Sequence, residues 1–371
     1  MKIALLTSSR ADFGIYLPLL KLLKDDPSYK LSILAFGTHL SLKHGETINE
    51  IISNGLVPSF TIDTLPDGDS PAAIASSMGK TIINFSKIWE NNSFDIIIAL
   101  GDRYEMFAAC SSVVPFGIPI AHLYGGETTL GAIDDVFRNS ITQMSTYHFT
   151  STEKYKNRVI ALKDSDKNVY NIGALSIDNL KSLKLLSIAE FKSRFNIDLS
   201  IPSILITFHP ETVAFEKNKE YIHQLVGALK EISGFQFIIT MPNLDTQGNM
   251  IRQYLLDFVI ESKNAVAVES FGALGYLSCM KYCSLMLGNT SSGFTEAAYF
   301  SKPVINLGDR QKGRLVTPNI INCKITKKDI IDAVEIAVNR PELEGSEIYG
   351  TGNSATRIIE VLYKIINKNI N

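Results

Sequence analysis

Short runs of apolar, β-branched residues alternate along this chain with longer stretches whose apolar positions recur every three or four residues. By that pattern KIALLTS at the start is a strand, IYLPLLKLLK a helix and KLSILAF a second strand. ETINEIIS and AIASSMGKTIINFSKIWEN predict helices, FDIIIALG a buried strand, RYEMFAACSSVVPF a helix ending near Pro115, and IPIAHLY a strand. A helix from Asp134 to Tyr147 follows, then short strands at HFTS and NVYNIG. Strands apolar at nearly every position and separated by helices predict a parallel sheet covered on both faces.

A second series of the same kind begins after a joint near Ala174–Leu199. SILITFH, FQFIITM, AVAVES, CSLMLGN and KPVINLG read as strands. The helices between and after them span Asn218–Ile232, Met250–Ser262, Gly272–Lys281, Gly293–Phe300 and Lys327–Asn339. The fold class is therefore α/β, with two Rossmann-like domains facing across a cleft. The first domain is expected at 1–176 and the second at 177–354. The closing segment 355–371, which contains ATRIIEVLYKIINK, is an amphipathic helix expected to pack back on the first domain.

Composition narrows this little further. The chain has 371 residues and a formal net charge of −2, which gives no pull toward nucleic acid or an anionic membrane. Any anion it binds must meet a local cluster of donors. Cys110, Cys279, Cys283 and Cys323 form no CxxC and no zinc spacing, and read as reduced, buried thiols. Arg10 and Asp12 interrupt the first apolar run too early for a secretory signal, and no apolar run reaches the ~20 residues of a membrane span. The expected location is cytoplasmic.

Open α/β sheets bind ligands at the carboxyl ends of their strands, so the polar residues just after each strand carry the chemistry. After the first strand stand Ser8, Ser9 and Arg10, either an anion site at a helix start or a turn capped by Asp12. GxGxxG and GxxxxGK[ST] are both absent there. Asp102 and Arg103 emerge from FDIIIALG, with Asp102 either a cap or a carboxylate facing the cleft. The stretch HLYGGETTLGAIDD brings His122, Tyr124, Gly125, Gly126, Glu127, Asp134 and Asp135 into one loop. His122 alone reads as a core residue. Carboxylates gathered in one place raise one another's pKa values, which suits acid–base work.

In the second half His209 follows a strand and precedes Pro210. GNTSSG offers backbone N–H groups and the hydroxyls of Thr290, Ser291 and Ser292 as a phosphate cradle. Glu296 is expected one to two turns into the helix that follows, where it could accept from ribose hydroxyls. Arg310 and Arg314 in NLGDRQKGR add cationic donors.

Taken in order, SRADFG, GDR, H-x-x-GGE with IDD, HP-x-T, GNTSSG and NLGDRQKGR resemble the hydrolysing UDP-N-acetylglucosamine 2-epimerases of sialic and legionaminic acid biosynthesis. The resemblance runs from Ser9 to Arg314. It implies a glycosyltransferase-B fold, a homodimer or homotetramer, a UDP-sugar as partner, and no cofactor, metal or nicotinamide. It further implies elimination of UDP across C1 and C2 of UDP-N-acetylglucosamine to a 2-acetamidoglucal. Addition of water and protonation of C2 from the other face then give N-acetylmannosamine. By the same resemblance Arg10 and His209 contact the diphosphate, and Arg103 and Arg310 support the nucleotide side. Thr290 and Ser291 bind phosphate, Glu296 holds the ribose, Phe271 lies by the base, and Asp102 and Asp134 are the acid–base carboxylates. Asp12 falls in the first motif and is counted with the substrate-binding residues.

One position departs from the family pattern. Many members carry Glu two residues after the histidine, where this chain has Tyr124. Either Glu127 takes that part, or Tyr124 marks a subgroup acting on another sugar, such as a UDP-2,4-diacetamido-trideoxy sugar. A retaining glycosyltransferase of the same architecture is the competing reading. PNLDTQGNMIR, with Arg252, matches a stretch where some members respond to a CMP-sugar end product.

Overall fold

In the computed structural model, which describes 1–42, 45–242, 245–341 and 343–370, every paired strand runs parallel to its neighbours. The chain divides into two units: Met1–Glu127 with Asp134–Ser182 and Ile348–Asn371, and Thr128–Ile133 with Leu183–Glu347. The expected boundary at 176/177 falls inside a helix, Leu175–Ser182. The expected feedback stretch includes Asn243 and Leu244, which lie outside the described residues; its Arg252 pairs with Glu269.

The first unit is built on seven strands: β1 (Lys2–Thr7), β2 (Lys30–Phe36), β3 (Phe60–Ile62), β4 (Ile96–Leu100), β5 (Ile120–Leu123), β6 (Tyr147–Thr150) and β7 (Val169–Asn171). Their order across the sheet is β3-β2-β1-β4-β5-β6-β7, so the winding reverses between β1 and β4. β4 is IIIAL and buried at every position, as a strand covered on both faces must be. Between the strands run α1 (Arg10–Asp25), α2 (Ile48–Ser53), α3 (Pro71–Asn91), α4 (Tyr104–Val113), α5 (Asp134–Met144) and α6 (Glu153–Lys163). α3 starts on Ser70, whose hydroxyl accepts from Ala73 N at 3.2 Å, with Pro71 in the first turn where its missing N–H costs nothing. Phe36, Phe85 and Trp89 anchor the core on that side, with the Phe36 and Phe85 rings edge to face at 4.9 Å. α7 (Leu175–Ser182) follows β7, and α14 (Ser354–Ile370) packs on α1 and α7.

The second unit carries α8 (Ile188–Phe195), then β8 (Ser203–Thr207), β9 (Gln236–Thr240), β10 (Ala265–Val268), β11 (Leu285–Gly288), β12 (Val304–Leu307) and β13 (Ile320–Cys323). Their order is β10-β9-β8-β11-β12-β13, with the reversal between β8 and β11. α9 (Asn218–Leu229), α10 (Gly248–Glu261), α11 (Gly272–Tyr282), α12 (Glu296–Tyr299) and α13 (Lys327–Val338) cover it. One apolar cluster, with Phe208, Phe237 and Phe258, fills the side under α9, α10 and α13, and a second, with Phe191 and Phe294, fills the other. No helix among the described residues is long and apolar enough to cross a membrane.

Candidate active site

Both reversal points fall where the expected reactive residues stand. In the first unit β1, β4 and β5 are neighbours, and their carboxyl ends lead into Ser8–Arg10, Gly101–Arg103 and Tyr124–Glu127. In the second, β8, β11 and β12 are neighbours and lead into His209, Asn289–Ser291 and Gly308–Arg310. A crevice opens at such a reversal because the adjacent connections leave to opposite faces of the sheet.

The turn after β1 is settled by Asp12. Its carboxylate accepts from the N–H groups of Ser8 (2.6 Å) and Ser9 (2.7 Å), and from their hydroxyls at 3.1 and 2.7 Å. Asp12 is thus the capping residue of α1, and the Ser8 and Ser9 amides offered above to an anion are already spent on it. Arg10 is the first residue of α1. Arg103 forms a two-pronged pair with Glu105, Nε to Oε2 at 3.2 Å and Nη2 to Oε1 at 3.1 Å, within the first unit. The expected nucleotide-side residues Thr290, Ser291, Glu296 and Arg310 all belong to the second unit.

Asp102 leaves the sheet after Gly101, and its carboxylate accepts from the guanidinium of Arg138 on α5. Arg138 is almost fully buried and also lies 3.7 Å from Asp135. Arg158 on α6 reaches Asp135 at 3.5 Å and donates to the carbonyls of Gly126 (3.3 Å) and Glu127 (2.9 Å). Two arginines therefore tie Asp102, Asp135 and the backbone of the GGE turn into one network. Gly126 has a φ of 80°, and a Cβ there would lie 2.4 Å from the Tyr155 carbonyl.

The three acids of HLYGGETTLGAIDD have different surroundings. Glu127 is buried and accepts from the Ser151 hydroxyl at 2.6 Å. Asp134 opens α5 and is buried, one helical turn before Arg138. Asp135 belongs to the arginine network. Tyr124 sits at a φ of 67°, in the left-handed region, and its phenol oxygen accepts the Ser176 N–H at 3.2 Å. That oxygen serves the start of α7. His122 is a core residue, fully buried. Its Nε2–H donates to the Gly101 carbonyl at 2.7 Å, so Nδ1 accepts from Thr142 at 3.2 Å. Burial holds the imidazole neutral and lowers its pKa to about 4.

In the second unit the His209 backbone is clamped by the side chain of fully buried Asn289, which accepts from His209 N at 2.7 Å and donates to His209 O at 2.8 Å. Gln311 donates to the Asn289 carbonyl (2.8 Å) and accepts from Arg314 (2.6 Å). Arg314 is buried in this chain of bonds and supports the loop instead of lining its rim. Arg310 Nε donates to the Pro210 carbonyl at 3.3 Å, and its guanidinium lies 3.7 Å from Asp245. Thr290 and Ser292 hydroxyls are 3.2 Å apart, and Ser292 bonds the Tyr276 phenol at 2.6 Å. Ser291 is exposed at the start of a 3-10 turn, Ser291–Gly293.

Two expectations change here. The helix drawn from Gly293 to Phe300 is shorter, and Glu296 is its first residue, because the 3-10 turn intervenes. Phe271 is buried in an aromatic cluster, 4.9 Å from Phe195 and 5.4 Å from Phe191. Its ring is core, so what it can present to a base is backbone. Among the described residues no group of His, Cys, Asp and Glu is arranged to hold a metal.

Arg138, Arg158 and Ser151 are absent from the sequence reading. Arg138 had a usable signal, four residues after Asp134 on one helix face. The others are joined to the site only by the tertiary fold.

A family model described as UDP-N-acetylglucosamine 2-epimerase matches residues 21–363. A Campylobacter jejuni protein named GDP/UDP-N,N'-diacetylbacillosamine 2-epimerase (hydrolyzing) is 36% identical, over 88% of this chain and 85% of its own length. A Legionella pneumophila UDP-N,N'-diacetylbacillosamine 2-epimerase (hydrolyzing) is 31% identical over 98% and 96%, and an Escherichia coli polysialic acid biosynthesis protein P7 is 33% identical over 99% and 95%. The fold matches that of a Neisseria meningitidis UDP-GlcNAc 2-epimerase bound to UDP-GlcNAc, at a TM-score of 0.83 and 20% identity over 98% of this chain and 100% of that one. The chain belongs to the UDP-N-acetylglucosamine 2-epimerase family.

Proposed function

We propose that this protein is a hydrolysing 2-epimerase of a UDP-activated 2-acetamido sugar. The observation that carries the reading is Asp102, a carboxylate at the reversal point of the first sheet, held by the buried Arg138 of the helix that Asp134 opens.

In this reading one carboxylate of the Asp102–Asp134 pair takes the proton from C2 of the sugar while the C1–O bond to UDP breaks. Water then adds at C1 and a proton returns to C2 from the opposite face. The balance is UDP-sugar plus water giving free sugar and UDP. General acid–base help of this kind is worth ~10²–10⁴-fold in rate. Glu127, buried on Ser151, is the further acid available to the water step. Tyr124, with its oxygen committed to α7, shapes the sugar site. Charge developing on UDP is met by Arg10, His209, Arg310 and the Thr290–Ser291 turn, with Arg103 supporting and Glu296 on the ribose. Fixed donors aimed at a leaving group stabilise it without reorganising.

Two sugars compete. UDP-N,N'-diacetylbacillosamine, a 2,4-diacetamido-2,4,6-trideoxy sugar, is favoured by the names of the relatives at 36% and 31% identity. UDP-N-acetylglucosamine is favoured by the family description and by a Neisseria meningitidis relative at 29%. These names support the diacetamido sugar ahead of UDP-N-acetylglucosamine, and in this reading the protein serves nonulosonic acid biosynthesis, of the legionaminic or the sialic type, the second supported by the name of the relative at 33% identity. In the same reading the protein works as a homo-oligomer in the cytoplasm.

Incubating the purified protein with each sugar in D2O tests the reading. UDP release with deuterium at C2 of the freed 2-epimer is the expected result, faster with the diacetamido sugar. A retaining glycosyltransferase would need an acceptor and would leave C2 undeuterated. Release of UDP from neither sugar would refute the proposal.

A further inference from the structure

The tetrapeptide His209-Pro210-Glu211-Thr212 leaves β8 and reaches two other loops of its own unit. Pro210 O accepts from Arg310 Nε, and the Thr212 hydroxyl accepts the Ile133 N–H at 2.8 Å. Glu211 lies between them, buried, with no part in the site as described so far.

Its carboxylate faces the turn that carries Arg310. Oε1 accepts the Asp309 N–H at 2.7 Å, and the Arg310 N–H donates to the same carboxylate. Gly308 makes this approach possible: it has a φ of 68°, and a Cβ there would stand 2.3 Å from Glu211 Oε1. Glu211 is itself fixed from behind, since the Asn218 side chain accepts its N–H and donates to its carbonyl, both at 2.9 Å. Two successive backbone N–H groups converging on one oxygen pair make a short anion-binding turn, and here the anion is built into the protein. Burial pushes the Glu211 carboxyl upward, and the two N–H groups and the Arg310 charge oppose that rise.

A buried carboxylate beside a proposed diphosphate site would repel the ligand if its charge were idle. Here the Asp309 and Arg310 amides take it up. The same bonds fix the backbone of Arg310, while Pro210 fixes its guanidinium at Nε.

We infer that Glu211 is a positioning residue for nucleotide binding: its carboxylate pins the Gly308–Arg310 turn and so sets where the Arg310 guanidinium meets the diphosphate of the UDP-sugar. The inference rests on the proposed placement of the nucleotide in this unit. It assigns Glu211 an effect that runs through Arg310 alone.

Calorimetric titration with UDP, alongside thermal unfolding, separates this from a role in folding. Glu211→Gln keeps the shape but turns an amide toward one of the two N–H groups, and is expected to weaken UDP binding about tenfold. Gly308→Ala, which leaves the Glu211 carboxylate in the chain but sets a methyl against its Oε1 and against Ile325 Cδ1, should give a loss of the same order. In an Arg310→Ala background, Glu211→Gln should change UDP affinity by less than about twofold, because the group it positions is gone. Full UDP affinity in both Glu211→Gln and Gly308→Ala would overturn the inference, as would losses that add in the double variant. A wild-type protein that does not bind UDP would instead overturn the placement of the nucleotide, and this inference with it.

Discussion

The guanidinium of Arg138, fourth along α5 from Asp134, donates to the carboxylate of Asp102 at the end of β4. One helix therefore supplies both an acid of its own and the cation that orients the other. Arg138→Met should lower UDP release by about 100-fold, the scale of a lost acid–base group. UDP affinity should stay within about threefold, since neither residue is among those proposed to hold the nucleotide. Arg138→Lys should recover only part of the rate, because an ammonium keeps the charge but loses the fork. Asp102→Asn and Asp134→Asn should behave like Arg138→Met. Release rates together with UDP titration check this, and a main effect on affinity would contradict the assignment.

His209 offers a second division of roles. His209→Ala should weaken UDP binding and lower kcat/KM together, each by about tenfold, as for a group that holds the departing diphosphate. Asn289→Ala leaves the imidazole in place but removes both bonds that fix its backbone. It should reproduce the loss of affinity and also cost ~2–4 kcal/mol of stability, from two unmade buried hydrogen bonds. Wild-type affinity in Asn289→Ala would show that the clamp does not govern the histidine.

These relationships explain which parts of the molecule could be seen in the sequence. The long apolar strands and amphipathic helices were legible, because burial on both faces writes itself into every position of a strand such as β4. β3 and β13 escaped because each is a short outer strand only partly buried, so neither FTI nor IINC shows the unbroken apolar run of a covered strand. α6 escaped because its sequence, EKYKNRVIALK, is largely polar and buries only Tyr155 and Val159. With α6 went Arg158, which supports Gly126 and Glu127. The strand-end places of the candidate residues were legible, because the strands before them were legible and topology, not spacing, puts the candidates there. Asp12 shows a local signal: a carboxylate three residues after a serine at a helix start is the pattern of a capping box, one of the two readings the sequence offers for that turn.

Stability should fall with acid earlier than catalysis alone would suggest. His122 and His148 are paired across β5 and β6 and both are buried, their pKa values lowered by desolvation to about 4 and about 3. A histidine held neutral in the fold and free to charge when unfolded makes the unfolded state bind more protons below pH ~6.5. Its contribution is whole above that pH and is lost as the pH falls toward the folded value, by at most about 3 kcal/mol for His122. Melting temperatures from pH 7 to 5 should decline for the wild type and decline less for His148→Phe, which removes one titrating ring and leaves the Gly101 support intact. Parallel curves would exclude His148 as a source of the slope.

The start of the last helix is fastened by an acid from elsewhere in its unit. Asp178 on α7 is buried and accepts the N–H groups of Ser354 (3.0 Å) and Ala355 (2.7 Å), the first two residues of α14. A carboxylate at a helix start satisfies orphan amides and meets the positive end of the helix dipole. Asp178→Ala leaves both amides without that acceptor and should cost about 2 kcal/mol, with Asp178→Asn costing about half as much because it keeps one acceptor but not the charge. Because α14 packs on α1 and α7 and carries none of the proposed site residues, kcat/KM at 20 °C should remain within about twofold in both variants. Melting temperature and kcat/KM measured on the same preparations check the pair of outcomes: an unchanged melting temperature would show that the cap contributes nothing, and a collapse of kcat with a modest change in melting temperature would show that α14 governs the active site through α1.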